Sequence, residues 1–226
     1  MNDAEIDRAL AASERELEAG RVPDLRTLGF WRAVAAVKRH PELVGRYATR
    51  IATIDRAVFR RRVRLVFPMV LGVIVLDLGL FGGLVLLGVA TFVDHPWREI
   101  LVLVAVGALD VTTHGLAHLA VGTLVGIDFT DWFVDLPKRP QPGFKTDYAS
   151  YLRASPRRRA WMHAAGAIAT KLTPFLVIPY AVAIGTETWA LLVLLALGVV
   201  QIVSDLLYSV KASDWKKFRR EMRLAR

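Results

Sequence analysis

Apolar residues fill four long blocks of the chain, at about residues 65–93, 100–125, 160–184 and 189–210. Each block exceeds the ~20 residues that a helix needs to cross a bilayer, so four membrane-spanning helices are predicted. Ahead of them, residues 1–64 mix apolar and polar positions at helical spacing. Ala4 to Ala19 reads as one helix, stopped by Gly20 with Pro23 just beyond. Leu28 to His40 is a short amphipathic segment, and Pro41 breaks it. From Pro41 to Arg62, apolar residues recur at Leu43, Tyr47, Ile51, Ile54 and Val58, near helical spacing. Arg46, Arg50, Arg56, Arg60, Arg61 and Arg62 form its other face. This segment leads straight into a span, so an interfacial helix resting on anionic headgroups is expected.

Charge then orients the spans. The links at 94–99 and 185–188 hold one arginine and no basic residue, respectively. The link at 126–159 holds Lys138, Arg139, Lys145, Arg153, Arg157, Arg158 and Arg159, and the tail at 211–226 is equally basic. The positive-inside rule puts that link and both termini in the cytoplasm. The expected fold is an all-α polytopic membrane protein, N-in and C-in, with four transmembrane helices. A helical cytoplasmic or interfacial region (1–64) precedes the membrane domain (65–210), and a basic tail (211–226) comes after it. Phe129, Trp132 and Phe133 in the long link are expected to dip into the interface as aromatic anchors. The net charge of +9 is thus topological. Membrane lipid, and no nucleic acid, is the expected surrounding, in a plasma membrane of the bacterial inner-membrane kind. The first 20 residues are polar and acidic and offer no cleavable signal.

The second block interrupts its apolar run with Asp110, His114 and His118. Successive steps of four place all three on one helix face. Ionisable groups at membrane depth are costly and by default mark function. Two histidines at i and i+4 can hold one metal ion from a single helix. The chain has no cysteine, so any metal must be held by imidazole or oxygen. Counting at ~1.5 Å per residue brings His114 and His118 to one layer with Lys171 of the third block and Gln201 and Asp205 of the fourth. That layer lies nearer the cytoplasm than the bilayer midplane, with Asp77 and Asp110 deeper. Asp205 can pair with Lys171 as a plain ion pair, or join His114 and His118 around a metal. Two imidazoles, one carboxylate and an open position make the ligand set of a catalytic zinc site. Gly79 and Gly83, Gly122 and Gly126, and Gly166 with Thr170 are small residues four apart, a pattern of helix–helix contact.

His114-Gly115-Leu116-Ala117-His118 stands where an HExxH motif would, with Gly122 after it; Ala165 to Lys171 and Val203 to Leu206 come on later helices. Over about 65–210 this constellation resembles the site-2 protease family of intramembrane zinc metalloproteases. The resemblance implies zinc held by His114, His118 and Asp205, and a transmembrane protein as substrate or partner helix. It also implies that the link at 126–159, with Pro137, Pro140, Pro142 and Gly143, forms a strand or loop beside the site. Gly115 replaces the family's catalytic glutamate, which implies lost or altered peptidase activity, because a glycine cannot accept a proton from a metal-bound water. Lys171 near the open position and Asp110 one turn from His114 are the remaining candidates for catalytic roles. Asp110 is better placed to orient that imidazole than to act as base. The residues also admit an active hydrolase with another base, or a proton or metal-ion carrier lined by Asp77, Asp110, His114, His118 and Asp205. The oligomeric state is left open.

Overall fold

The computed structural model describes residues 1–135, 139–207 and 213–225. Its elements run α1 (Asp3–Glu18), α2 (Phe30–Arg39), a 3₁₀ turn (Pro41–Leu43), α3 (Val44–Arg62), β1 (Leu65–Pro68), α4 (Met69–Ala90) and α5 (Trp97–Leu124). Then come β2 (Phe129–Asp135), β3 (Arg139–Thr146), α6 (Tyr148–Arg153), α7 (Pro156–Ala183), α8 (Thr188–Leu207) and α9 (Asp214–Arg223). Helix dominates, and α4, α5, α7 and α8 are each long and apolar enough to cross a membrane. The chain divides into two compact units, one of residues 1–69, 122–159 and 223–226 and one of residues 70–121 and 160–222. Lys138 and Pro137 of the link, and residues 208–212 and 226 of the last block and tail, lie outside the described residues.

The first unit gathers α1, α2, α3, α6 and the three strands. A reciprocal cap starts α1: the Asn2 side chain accepts from the Glu5 N–H, and the Glu5 carboxylate accepts from the Asn2 N–H. Ile6 and Leu10 of α1, Phe30, Val34 and Val37 of α2, Tyr47, Ile51, Ile54 and Val58 of α3 and Leu152 of α6 form one buried core. This corrects the expectation of an interfacial helix at 41–62: the apolar face of α3 is covered by protein. Its basic face is also engaged. Arg50 is paired with Asp7 and Glu14, Arg46 with Asp3 and Asp7, and Arg61 and Arg62 donate to backbone carbonyls. Apolar stripe and arginine stripe fit a buried helix as well as an interfacial one, and the acidic partners on α1 decide between them.

The strands form an antiparallel sheet in the order β1-β2-β3, where the sequence predicts a fully helical first span and, for the link, a strand or loop by resemblance or a proline-rich connector. Leu65 to Pro68 pairs with Val134 to Asp131, so the strand takes the first four residues of the predicted block and the helix begins at Met69. The prolines of β3 lie on an edge strand, the place in a sheet that tolerates a missing N–H. Trp132 and Phe133 are buried within the unit, with Phe133 edge-on to Phe59 and Trp132 against Phe67. They are buried on opposite faces of β2, a second correction, since a strand takes aromatics as readily as a membrane interface does. Lys145 bonds to Asp55, and Arg60 to Asp131 at 2.6 Å, so each inward-facing carboxylate has a cation from its own unit. Burial pushes the Asp55 carboxyl up, and Lys145 offsets part of that rise.

The second unit is the membrane bundle. Its core holds Ala90 of α4, Val102, Val106 and Leu109 of α5, Val177 and Ala181 of α7 and Leu194 of α8. The Gly79 and Gly83 pair does what its spacing implies: a Cβ there would lie 2.5 Å from the Thr112 methyl and 2.9 Å from Leu109, so α4 and α5 meet over bare backbone. The two short turns are tied together at one end of the bundle. Glu99, fully buried, accepts from the Glu187 N–H and from His95 at 3.1 Å each, and Arg98 donates to the Gly185 carbonyl at 3.0 Å. Pro174 and Pro179 sit inside α7, as membrane helices tolerate.

Candidate metal centre

His114 and His118 lie one turn apart on α5, and each ring is aimed by α7. Nδ1 of His118 donates to the Met162 carbonyl at 2.7 Å, and since a carbonyl only accepts, this fixes the proton on Nδ1. His114 is settled the same way. Thr170 Oγ1 gives its one proton to the Gly166 carbonyl at 3.0 Å, so its oxygen accepts from His114 Nδ1, also at 3.0 Å. Both Nε2 atoms therefore point away from their anchors, and both face the same carboxylate oxygen. Asp214 Oδ2 lies 3.1 Å from His118 Nε2 and 3.4 Å from His114 Nε2. Lys217, one turn along α9, donates to the other oxygen, Oδ1, at 2.9 Å. The two rings pack edge to face at 4.7 Å between centroids.

Gly166 makes this packing possible. A Cβ at that position would overlap the imidazole of His118, so any side chain would drive the ring out. Its spacing to Thr170 thus serves the histidines, one residue clearing space for a ring and the other anchoring its neighbour.

With Nδ1 protonated, each Nε2 carries either a second proton or a lone pair. Lone pairs facing a carboxylate oxygen repel unless a cation lies among them. A proton on each ring is one such arrangement, and a divalent ion is the other. Ligand atoms arranged tetrahedrally ~2.0–2.1 Å from zinc lie about 3.3 Å apart, close to the two separations observed. The three ligand atoms all fall within 4.8 Å of one another. The anchored Nδ1 atoms are the outer hydrogen bonds that histidine ligands use to fix ring orientation. The residues thus fit a zinc-type ion. Burial alone would push the Asp214 carboxyl up, but the bonds from His114 and His118, helped by Lys217, hold it well below the usual carboxylate range.

The third member of the group is Asp214, at the start of α9, and not Asp205. Asp205 lies on α8 and takes Lys171 as its partner at 2.5 Å, the plain ion pair that the sequence admits. Lys171 also donates to the Ala167 carbonyl at 3.2 Å. Both line an apolar cavity of about 280 Å³ with Phe175, Ile202 and Trp215, on a different face of α7 from the one that carries Gly166 and Thr170. Depth alone cannot separate these arrangements, because residues at one level of a bundle can face different partners. Asp110 does not orient His114 either: its Oδ2 accepts from Gln201 Nε2 at 2.7 Å. Asp110 Oδ1 and Gln201 Oε1 are buried and have no partner among the described residues.

Asp214, Lys217 and the Met162 carbonyl are the members that the sequence pattern does not single out, and Thr170 is marked there only as a helix-contact residue. The tail carries a legible signal, since Trp215, Phe218 and Met222 recur at i, i+3 and i+7 in an otherwise charged segment. In the structure Phe218 packs against both Trp215 and Trp161, and this aromatic contact seats α9 on α7. No protein-family model, curated protein or solved structure matches the chain.

Proposed function

We propose that this chain is an integral membrane metal-binding protein, with a divalent ion, zinc first among them, held by His114, His118 and Asp214. The observation that carries this reading is the convergence of two anchored Nε2 atoms on Asp214 Oδ2. In the proposed topology the termini and the basic link face the cytoplasm, in keeping with the distribution of lysine and arginine. Such an ion, when bound, supplies Lewis-acid polarisation and an activated water.

The chain's own residues limit the use of that chemistry. Gly115 offers no side chain beside the first histidine. Asp110 is bonded to Gln201, and Lys171 to Asp205, so neither stands ready to take a proton at the histidine pair. General-base help is commonly worth ~10²–10⁴-fold, so peptidase activity of the site-2 protease kind is lost or much reduced. The likeness to that family is carried by the His114–His118 spacing, whereas the carboxylate of the group is Asp214 of α9 and not the Asp205 that the resemblance implies. The proposed role is metal-dependent binding of a membrane partner.

Metal analysis of protein purified in detergent without chelator tests the proposal. The expected result is one zinc-type ion per chain. Protein that holds no ion, and takes up none on titration with zinc, would overturn it. Gly115→Glu then tests the catalytic side: peptidase activity that appears only in this variant fits a silenced site, whereas cleavage by the unmodified chain contradicts the reading of Gly115.

A further inference from the structure

Asp77 is the ninth of the 22 residues of α4, about 12 Å along a helix that crosses the bilayer. It makes no hydrogen bond or ion pair with any described residue. The other two acids of the spans each have a side-chain partner: Asp110 accepts from Gln201 through one of its oxygens, and Asp205 pairs with Lys171. A carboxylate left without a partner at this depth is costly, and such residues persist where they have a task.

The helix has two unlike sides. Gly72, Leu76, Gly83 and Ala90 are buried, and Gly79 and Gly83 press on Thr112 and Leu109 of α5. Asp77 falls more than a quarter turn away, with Phe81, Leu84 and Gly88 at successive helical steps. Phe81 and Leu84 are exposed, and a Cβ on Gly88 would meet nothing within 4 Å. An acid and a bare glycine on one open, apolar helix face give a second helix both a polar anchor and a place of close approach.

The charge states what that helix must bring. In the four spans, Arg98 and Arg157 to Arg159 sit at helix starts, and Lys171 is the one lysine or arginine further in. Lys171 is bound to Asp205, so the described residues of a second copy of this chain present no free lysine or arginine at the depth of Asp77. We propose that the Asp77 face of α4 is the docking surface for a transmembrane helix of another protein that carries a lysine or arginine near mid-bilayer depth. The proposal does not depend on the metal site. A long basic side chain reaches such a carboxylate from within about a turn of the same level.

The test uses the full chain in phosphatidylcholine vesicles with labelled polyleucine helices, and reads association by energy transfer. One peptide carries a central lysine, one carries none, and one carries a central aspartate. The unmodified chain is expected to bind the lysine peptide about tenfold better than the plain one, in line with polar contacts between membrane helices. Asp77→Asn, near in shape and uncharged, is expected to lose that preference while keeping its helical circular dichroism. Asp77→Lys is expected to transfer the preference to the aspartate peptide. Equal binding of the lysine and plain peptides by the unmodified chain overturns the proposal without recourse to any variant. So does a preference that survives in Asp77→Asn.

Discussion

Two carboxylates of the membrane unit, Asp205 and Asp214, each take a lysine, and they differ in what else they face. On α8, Asp205 faces an ammonium, and the chain itself neutralises the pair. On α9, Asp214 gives Oδ1 to Lys217, but its Oδ2 faces two ring nitrogens whose other nitrogens are already committed as donors, to Met162 and Thr170. The first arrangement is complete without any outside species. The second is complete only with added protons or an added cation. A cluster that needs a guest can serve as a site, whereas a cluster that closes on itself is a strut.

The sharpest way to break the comparison is to remove each acid in turn. Asp214→Ala is expected to abolish metal binding, a larger loss than the ~10–100-fold that a supporting hydrogen bond is worth. Asp205→Ala is expected to keep one ion per chain. Metal analysis and zinc titration of the two variants read the result, and a chain that loses its ion only with Asp205 would reverse the assignment.

That contrast also marks how far the sequence reaches. Hydropathy announces the four spans, because lipid admits little else over ~20 residues, and α4, α5, α7 and α8 answer to it. His114 and His118 are legible for the same reason. The third partner is not, since a three-dimensional contact from α9 leaves no period in the sequence, and Asp205 offers the same chemistry at a plausible depth. The apolar stripe of α3 is equally ambiguous until α1 supplies Asp7 and Glu14. β1 escapes notice because it is written in the same apolar letters as the span after it, whereas the link's prolines leave strand, loop and plain connector all open.

Stability distinguishes the two acids in the other direction. Asp205→Leu leaves the Lys171 ammonium without its partner and is expected to cost about 1–3 kcal/mol, less than for a fully buried pair because both side chains stay partly exposed. The double variant Lys171→Met with Asp205→Leu is expected to recover most of that loss, because an apolar pair replaces a desolvated one. Denaturant unfolding in detergent measures both. Non-recovery would mean that Lys171 has work beyond the strut.

Gly166→Ala is next in size, with an effect on the metal and little on the bundle. The added methyl occupies the place of the His118 ring, which must turn away from Met162 and from Asp214. Zinc affinity is expected to fall by up to about 100-fold, as for loss of an orienting partner. The Lys171–Asp205 pair, one helix face away, is expected to keep its stability. Isothermal titration and unfolding curves on one preparation separate the two effects.

The smallest expected effect belongs to Thr170→Val, which keeps the shape of the side chain and removes the oxygen that accepts from His114 Nδ1. The imidazole then loses the partner that fixes its proton on Nδ1, and Nε2 faces Asp214 for only part of the time. Zinc affinity is expected to drop by about tenfold. The bundle is expected to keep its fold, since the same hydroxyl gives its own helix only a bond back to Gly166. Thr170→Ser restores the oxygen and is expected to restore affinity. If valine and serine bind zinc equally, His114 is held by packing against His118 alone, and the hydroxyl on α7 has no part in preparing the site.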